Sequence, residues 1–245
     1  MVDFLLDLLT YVGGFLFMAA IFAYAVWRAV RRDREWPAVA PSLGLSYAAR
    51  DDAPLERFGA FKIVDAVGPR NLSNVLSGTR GGFKVWLADY KYSNKLTGTV
   101  QSSGFTLCVL QHNRLAVPHF FLKGRGRPRS MTLSPQLWRP EDDPVVPLGD
   151  GSPLARGFDL RTGSAEAVLA LLTPALRDLI CGGKQRYLDV EAKEDTVIVT
   201  RRSWLEPKEA AAFLDDATAI AAGLLEAAAA ARATPPPDSQ TRDAP

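Results

Sequence analysis

An α+β fold attached to a membrane by one N-terminal helix is the architecture the sequence predicts, and three observations carry it. From Leu8 to Trp27 the chain runs LLTYVGGFLFMAAIFAYAVW, twenty residues without a formal charge. At about 1.5 Å rise per residue, a helix of that length crosses a hydrocarbon core of roughly 30 Å. Between Asn71 and Lys123, extended apolar runs alternate with turn residues in the manner of an antiparallel sheet. After Ser164, apolar residues recur at helical spacing. The prediction is therefore an N-terminal transmembrane helix followed by a soluble domain, an antiparallel sheet covered by helices drawn mainly from the C-terminal third. Residues 1–35 form the anchor and its basic flank, 36–233 a single cytoplasmic α+β domain, and 234–245 a Pro-rich disordered tail.

Composition narrows the function classes. The 245 residues are 47% hydrophobic and 23% charged, with a net charge of +2. That is the make-up of an ordinary globular chain, and too little positive charge to imply a nucleic-acid partner. Cys108 and Cys181 have neither metal-type nor redox-type spacing. They read as buried thiols in a reducing compartment.

The anchor has a direction. Its first seven residues carry Asp3 and Asp7 but no Lys or Arg, which is the wrong start for a cleaved signal peptide, so the segment is retained. Arg28, Arg31, Arg32 and Arg34 follow the span. An excess of cations marks the cytoplasmic side, which places the N-terminus outside and the C-terminal domain in the cytoplasm of a bacterial inner membrane. Tyr11, Tyr24 and Trp27 suit the two headgroup layers. Gly13, Gly14, Ala19 and Ala23 offer a surface on which a protein partner in the membrane can approach closely.

Beyond the anchor, WPAVAPSLGL (Trp36–Leu45) predicts a short helix or turn, broken by Pro37 and Pro41 and ended near Gly44. Leu45–Ala49 reads as a strand, as does the middle of Asp51–Pro69. Asn71–Tyr92 predicts a hairpin turning at Arg80, Gly81 and Gly82. In its second strand Phe83, Val85 and Leu87 point one way and Trp86, Ala88 and Tyr90 the other, so the strand is central. Thr99–Gln111 is a third strand, with Gly104 expected at a bulge or bend, and Val117–Lys123 a fourth. Gly124–Gly157 is irregular, with Met131, Leu133, Leu137 and Trp138 as apolar pins. A short strand at Phe158–Arg161 precedes a helical stretch from Ser164, its N-cap, to Cys181. Within it Thr173 and Pro174 form a cap and a first helical position, predicting a kink or two short helices. Arg186–Glu191 and Thr196–Arg201 make a second hairpin. The last helix, Pro207–Arg232, has an inner stripe of Phe213, Ala217, Ile220, Ala221 and Leu224.

Motifs that would carry chemistry are scarce. His112 and His119 lack a third ligand at metal spacing, and Cys108 and His112, on one strand face, lie about 13 Å apart in extended chain. The carboxylates at Asp51 and Asp52, at Glu141, Asp142 and Asp143, and at Asp215 and Asp216 are neighbours in sequence, the pattern of solvated faces and turns. GTRGG (Gly78–Gly82) lacks the Gly-Lys-Ser/Thr ending of a phosphate loop and joins two strands. The Asn71 sequon falls on the predicted cytoplasmic side, where it has no role. The sharpest feature is KGRGRPR, in which Lys123, Arg125, Arg127 and Arg129 suit anionic lipid headgroups. Its RGRP resembles the core of an AT-hook, which keeps nucleic-acid contact through 123–129 as a lesser alternative. No catalytic, cofactor-binding or metal-binding residue emerges. The expected function is a membrane-tethered, noncatalytic interaction or ligand-binding module, with a membrane-anchored enzyme as the alternative.

The layout resembles a family of uncharacterised bacterial single-span membrane proteins. The matching features are the span with its basic flank, LGLSY at Leu43–Tyr47, SNVLSGTRGGFKVWLADYKY at Ser73–Tyr92, and FDLRTGSAEAVLALLTPALRDLI at Phe158–Ile180. The strand pair and terminal helix also match, so that the resemblance runs from Trp36 to about Glu226. It implies the anchored α+β layout and brings no activity or site residue with it. KGRGRPR and the proline-rich stretch after it are additions to the pattern.

Overall fold

The computed structural model describes residues 2–65, 69–96, 99–125, 143–149, 151–182, 188–201 and 203–233. A single helix, α1 (Val2–Ser42), leads into the domain. Its Tyr11–Ser42 portion is long and apolar enough to cross a membrane, and its most apolar window is not buried by the rest of the protein. The break expected at Pro37 and Pro41 does not occur, for both prolines lie inside α1. Each proline lacks the N–H that the carbonyl four residues back would receive. The helix persists because Trp36 and Ala40 are buried against the sheet, so packing outweighs the local loss. It ends at Gly44, whose φ of +69° suits a residue without Cβ. There the Leu45 N–H donates to the Ala40 carbonyl and the Gly44 N–H to Pro41, both at 3.0 Å, which is a Schellman stop.

The strands are β1 (Ser46–Arg50), β2 (Arg70–Arg80), β3 (Phe83–Leu96), β4 (Thr99–Gln111), β5 (Val117–Gly124), β6 (Val145–Val146), β7 (Phe158–Arg161), β8 (Leu188–Glu194) and β9 (Thr196–Arg201). They form one nine-stranded sheet in the order β1-β2-β3-β4-β9-β8-β5-β7-β6, antiparallel throughout. The predicted first hairpin is present: Arg80 faces Phe83 across Gly81 and Gly82, whose φ values of +57° and +84° are those of a type I′ turn. The α+β class, with a long apolar N-terminal helix ahead of an antiparallel sheet and its helices, is as the sequence predicts.

Helices cover one face of this sheet. They are α3 (Pro153–Gly157), α4 (Ala165–Leu171), α5 (Pro174–Gly182) and α6 (Ala210–Ala233), the last preceded by a 3₁₀ turn at Pro207–Glu209, together with the end of α1. The predicted kink resolves into α4 and α5, with Thr173 Oγ1 accepting the Leu176 N–H at 3.3 Å. Ser164 precedes α4 but makes no capping bond with its side chain. The opposite face carries a smaller core, where Leu72, Val75, Leu107, Val109 and Ile198 meet Leu55, Phe58, Phe61, Ile63 and Val64. Residues in the middle of Asp51–Pro69 form α2 (Ala53–Phe58), not the predicted strand. Pro54 in the first turn and the Asp51 carboxylate accepting the Ala53 N–H at 3.1 Å favour the helix, and Leu55 and Phe58 bury its face. Met131, Leu133, Leu137 and Trp138 lie outside the described residues, as does the tail.

Gly104 is a second correction. It sits in regular register opposite Lys91, with no bulge in the β3–β4 pairing. A Cβ placed there would lie 2.3 Å from Trp204 Cη2 and 2.6 Å from the Tyr90 carbonyl oxygen. The glycine is a seat for an indole.

Candidate functional site at the junction of helix and sheet

Asp89 belongs to the β3 row that begins Phe83, Val85, Leu87 and faces the helices, and its side chain is almost wholly buried. Burying a carboxylate requires partners for both oxygens. Arg32, one helical turn beyond the apolar span, supplies a bidentate pair: Nη1 donates to Oδ2 at 2.7 Å and Nη2 to Oδ1 at 2.8 Å. Asn74 Nδ2 adds a bond to Oδ2 at 2.9 Å, and Thr106 Oγ1 one to Oδ1 at 2.8 Å. Asn74 adopts φ +51° where the β2–β3 register shifts between Ser73 and Leu76. That irregularity aims its amide at the carboxylate.

The same guanidinium reaches the segment entering the terminal helix. Arg32 Nε donates to the Leu205 carbonyl, and the Leu205 N–H donates to Thr106 Oγ1, both at 2.9 Å. Its plane also lies 5.4 Å from the Trp36 ring centroid and 5.6 Å from that of Trp204. Arg32 thus joins α1, β3 and the approach to α6, and Thr106 of β4 completes the network through Asp89 and Leu205. Tyr47 donates to Asn74 Oδ1 at 3.2 Å, and burial, with the nearby charges of Asp33 and Asp89, pushes its phenol up from the ordinary value. Arg32 therefore does not act as a solvated member of a basic flank. Its neighbours remain at the surface: Arg28 pairs with Glu206, and Arg31 Nε donates to Glu35 at 2.8 Å. Between these groups, Tyr24, Trp27 and Lys208 lies a cleft of about 350 Å³.

A second polar cluster is buried under the opposite face. Glu191, fully buried on β8, accepts the N–H groups of Lys62 and Ile63, each at 2.8 Å. Its Oε1 is also 2.8 Å from His119 Nε2, while His119 Nδ1 is 3.0 Å from Asp143 Oδ2. The bond to Glu191 raises the His119 pKa, burial opposes it, and the charges of both carboxylates reinforce it. An imidazole with a carboxylate at each nitrogen donates from both when it is protonated, which is the form the two carboxylates favour. It serves as a strap between β5, β8 and the chain at Asp143. His112 is elsewhere, its ring 5.1 Å from that of Phe83. Among the described residues, no cluster of His, Cys, Asp and Glu fits a metal ion. Burial pushes the Cys108 thiol far up, as suits an inert core side chain.

Of the four cations singled out in KGRGRPR, the structure describes two. Lys123 lies in β5 opposite both Asp159 and Asp189, and Arg125 Nε donates to Asp159 at 2.8 Å. Arg127 and Arg129 lie outside the described residues. The register runs from Asp89 to Thr106 and Arg201, then to Leu188, next to Asp189 and Lys123. β5 therefore ends, at Gly124, level with the Arg32–Asp89 pair across the sheet.

Sequence reasoning missed Asp89, Asn74, Thr106 and Glu191. One signal was present, because an acidic residue at Asp89 falls in phase with the apolar row of a central strand. No protein-family model and no curated protein matches the sequence. Among solved structures, the chain is similar to the crystal structure of the mycobacterial trehalose monomycolate transport factor A, TtfA. The TM-score is 0.53 at 14% identity, over 84% of this chain and 97% of that one. At that identity the likeness is one of fold.

Proposed function

We propose that this chain is a membrane-anchored, noncatalytic factor of a bacterial inner membrane, which presents its cytoplasmic domain at the leaflet surface to a membrane-protein partner. The observation that carries the reading is the clamp at Arg32. The span continues without a linker into a helix bound bidentately to Asp89, so the domain is held at a set height and orientation. Such fixed presentation suits an interaction module more than an enzyme meeting diffusing substrates. The fold shared with a protein named as a trehalose monomycolate transport factor supports an accessory role in transport. The N-out, C-in orientation rests on the cations that follow Trp27. Headgroup contact by Lys123, Arg125, Arg127 and Arg129 is part of the same proposal, since β5 ends at Gly124 level with the Arg32–Asp89 pair.

The test is a six-residue Gly/Ser insertion between Trp27 and Arg28, which leaves the Arg32–Asp89 clamp intact and loosens only its coupling to the span. After crosslinking in native membranes, the wild-type chain is expected to purify with one membrane protein in fixed ratio. The insertion variant, still folded and membrane-bound, is expected to lose most of it. Equal recovery from both overturns fixed presentation, and purification of the wild type without a fixed-ratio partner overturns the factor reading.

A further inference from the structure

We propose that the cleft between α1 and the Pro207–Glu209 turn is a binding site for the phosphate of one anionic phospholipid. The proposal rests on the reading of α1 as a membrane span and goes beyond it by assigning a ligand to a formed cavity.

Depth comes first. Tyr24 and Trp27 close the apolar span, with ring centroids 5.8 Å apart, and aromatic side chains of this kind settle at the headgroup level. At about 1.5 Å rise per residue, Arg28 and Arg31 follow Trp27 by roughly 2 and 6 Å. Each interfacial layer is about 5 to 7 Å thick, so both guanidinium groups fall within it. The pairing of Arg28 with Glu206 brings the 3₁₀ turn, and with it Lys208, to the same depth. The cleft is therefore open where lipid phosphates lie.

Three cations, Arg28, Arg31 and Lys208, face two carboxylates, Glu35 and Glu206, across a space of about 350 Å³. Arg32 also borders the cleft, but its guanidinium is already engaged by Asp89, Asp33 and the Leu205 carbonyl. The Arg28 and Arg31 side chains are 62% and 63% exposed, and exposed ion pairs of this kind are weak and exchange partners readily. A phosphodiester can accept from both guanidinium groups at once. The Arg31 guanidinium lies 5.5 Å from the Trp27 ring, which limits its freedom before any lipid arrives. A zwitterionic lipid offers the same phosphate but brings an ammonium into a site with excess positive charge, so the cleft favours lipids of net negative charge.

The experiment uses the full-length chain in nanodiscs of equimolar phosphatidylglycerol and phosphatidylcholine, with lipids retained after mild detergent transfer counted by native mass spectrometry. The wild type is expected to retain one phosphatidylglycerol in preference to phosphatidylcholine. The double variant Arg31→Gln/Lys208→Gln spares the Arg28–Glu206 pair and is expected to lose that preference by roughly fivefold for each cation removed. Lys193→Gln, in the β8–β9 hairpin, is expected to match the wild type. Equal retention of the two lipids by the wild type, or an unchanged preference in the double variant, overturns the proposal. Displacement of the retained lipid by millimolar inorganic phosphate overturns the assignment to a lipid. Extraction of the wild-type chain from membranes by alkaline carbonate refutes the span itself, whereas a membrane-retained chain without lipid preference refutes the cleft alone.

Discussion

Asp89 stands where the alternation of β3 asks for an apolar side chain, and the structure surrounds it with four donors from three other elements. Replacing a well-paired buried ion pair by apolar groups is often neutral, so the pair is better understood as fixing where α1 docks than as a source of net stability. Removing one partner is different. Asp89→Ala leaves the Arg32 side chain, 12% exposed, without its carboxylate, and a loss of about 3 to 5 kcal/mol is expected. Thermal unfolding of the full chain in detergent measures it, and a variant as stable as the wild type would show that the clamp is not structural. His119 gives a pH dependence of definite sign. Its folded pKa is raised, first by the bond to Glu191, so the protonated ring is the stabilising form. That contribution is complete below the unfolded value of about 6.5 and is lost as the pH rises through the raised folded value. The midpoint of unfolding should therefore fall more in the wild type than in His119→Gln as the pH is raised from about 6.5. Parallel curves would mean that the imidazole is not linked to folding.

Single elements follow their local chemistry until packing overrides it. The Thr173–Pro174 signal divides α4 from α5 as its residues require. The prolines at 37 and 41 fail to divide α1, because Trp36 and Ala40 on the same turns are buried in the core. In β4, Gly104 keeps the strand straight and leaves room for Trp204, which contacts Arg32 on one side and has Lys91 Nζ 5.8 Å from its ring centroid. Gly104→Ala places a methyl group inside the indole and against the Tyr90 carbonyl. Overpacking of this kind costs about 1 to 3 kcal/mol. Combining Gly104→Ala with Trp204→Leu should recover part of the loss in a thermal melt, leaving the share due to the backbone contact. Full stability of Gly104→Ala alone would contradict the seat assigned to Trp204.

For the whole molecule, the decisive property is how the long apolar helix is joined to the domain, and the proposed membrane orientation is tested on the same scale. Protease added to intact spheroplasts should leave the C-terminal domain whole and digest it only after the inner membrane is opened. Digestion in intact spheroplasts would invert the orientation proposed from Arg28, Arg31, Arg32 and Arg34. Those arginines read as one basic flank, yet the structure sends Arg32 to Asp89, Arg28 to Glu206 and Arg31 to Glu35. The first two partners are remote in sequence, so no local pattern could separate the roles. Strand order shows the same limit. The hairpins β2–β3 and β8–β9 are visible in turn residues and alternation, whereas the placing of β8 and β9 between β4 and β5 depends on which edges meet after collapse. Length and apolar content of the N-terminal helix, the two-sided burial of β3 and β4, and the inner stripe of α6 were determined by the sequence alone, because composition and a period of two or 3.6 residues are local properties. Only the tertiary structure decided that the long N-terminal helix and the sheet are clamped together and that a cleft opens beside the clamp, because the groups that build both lie far apart in the chain and acquire their chemistry by meeting.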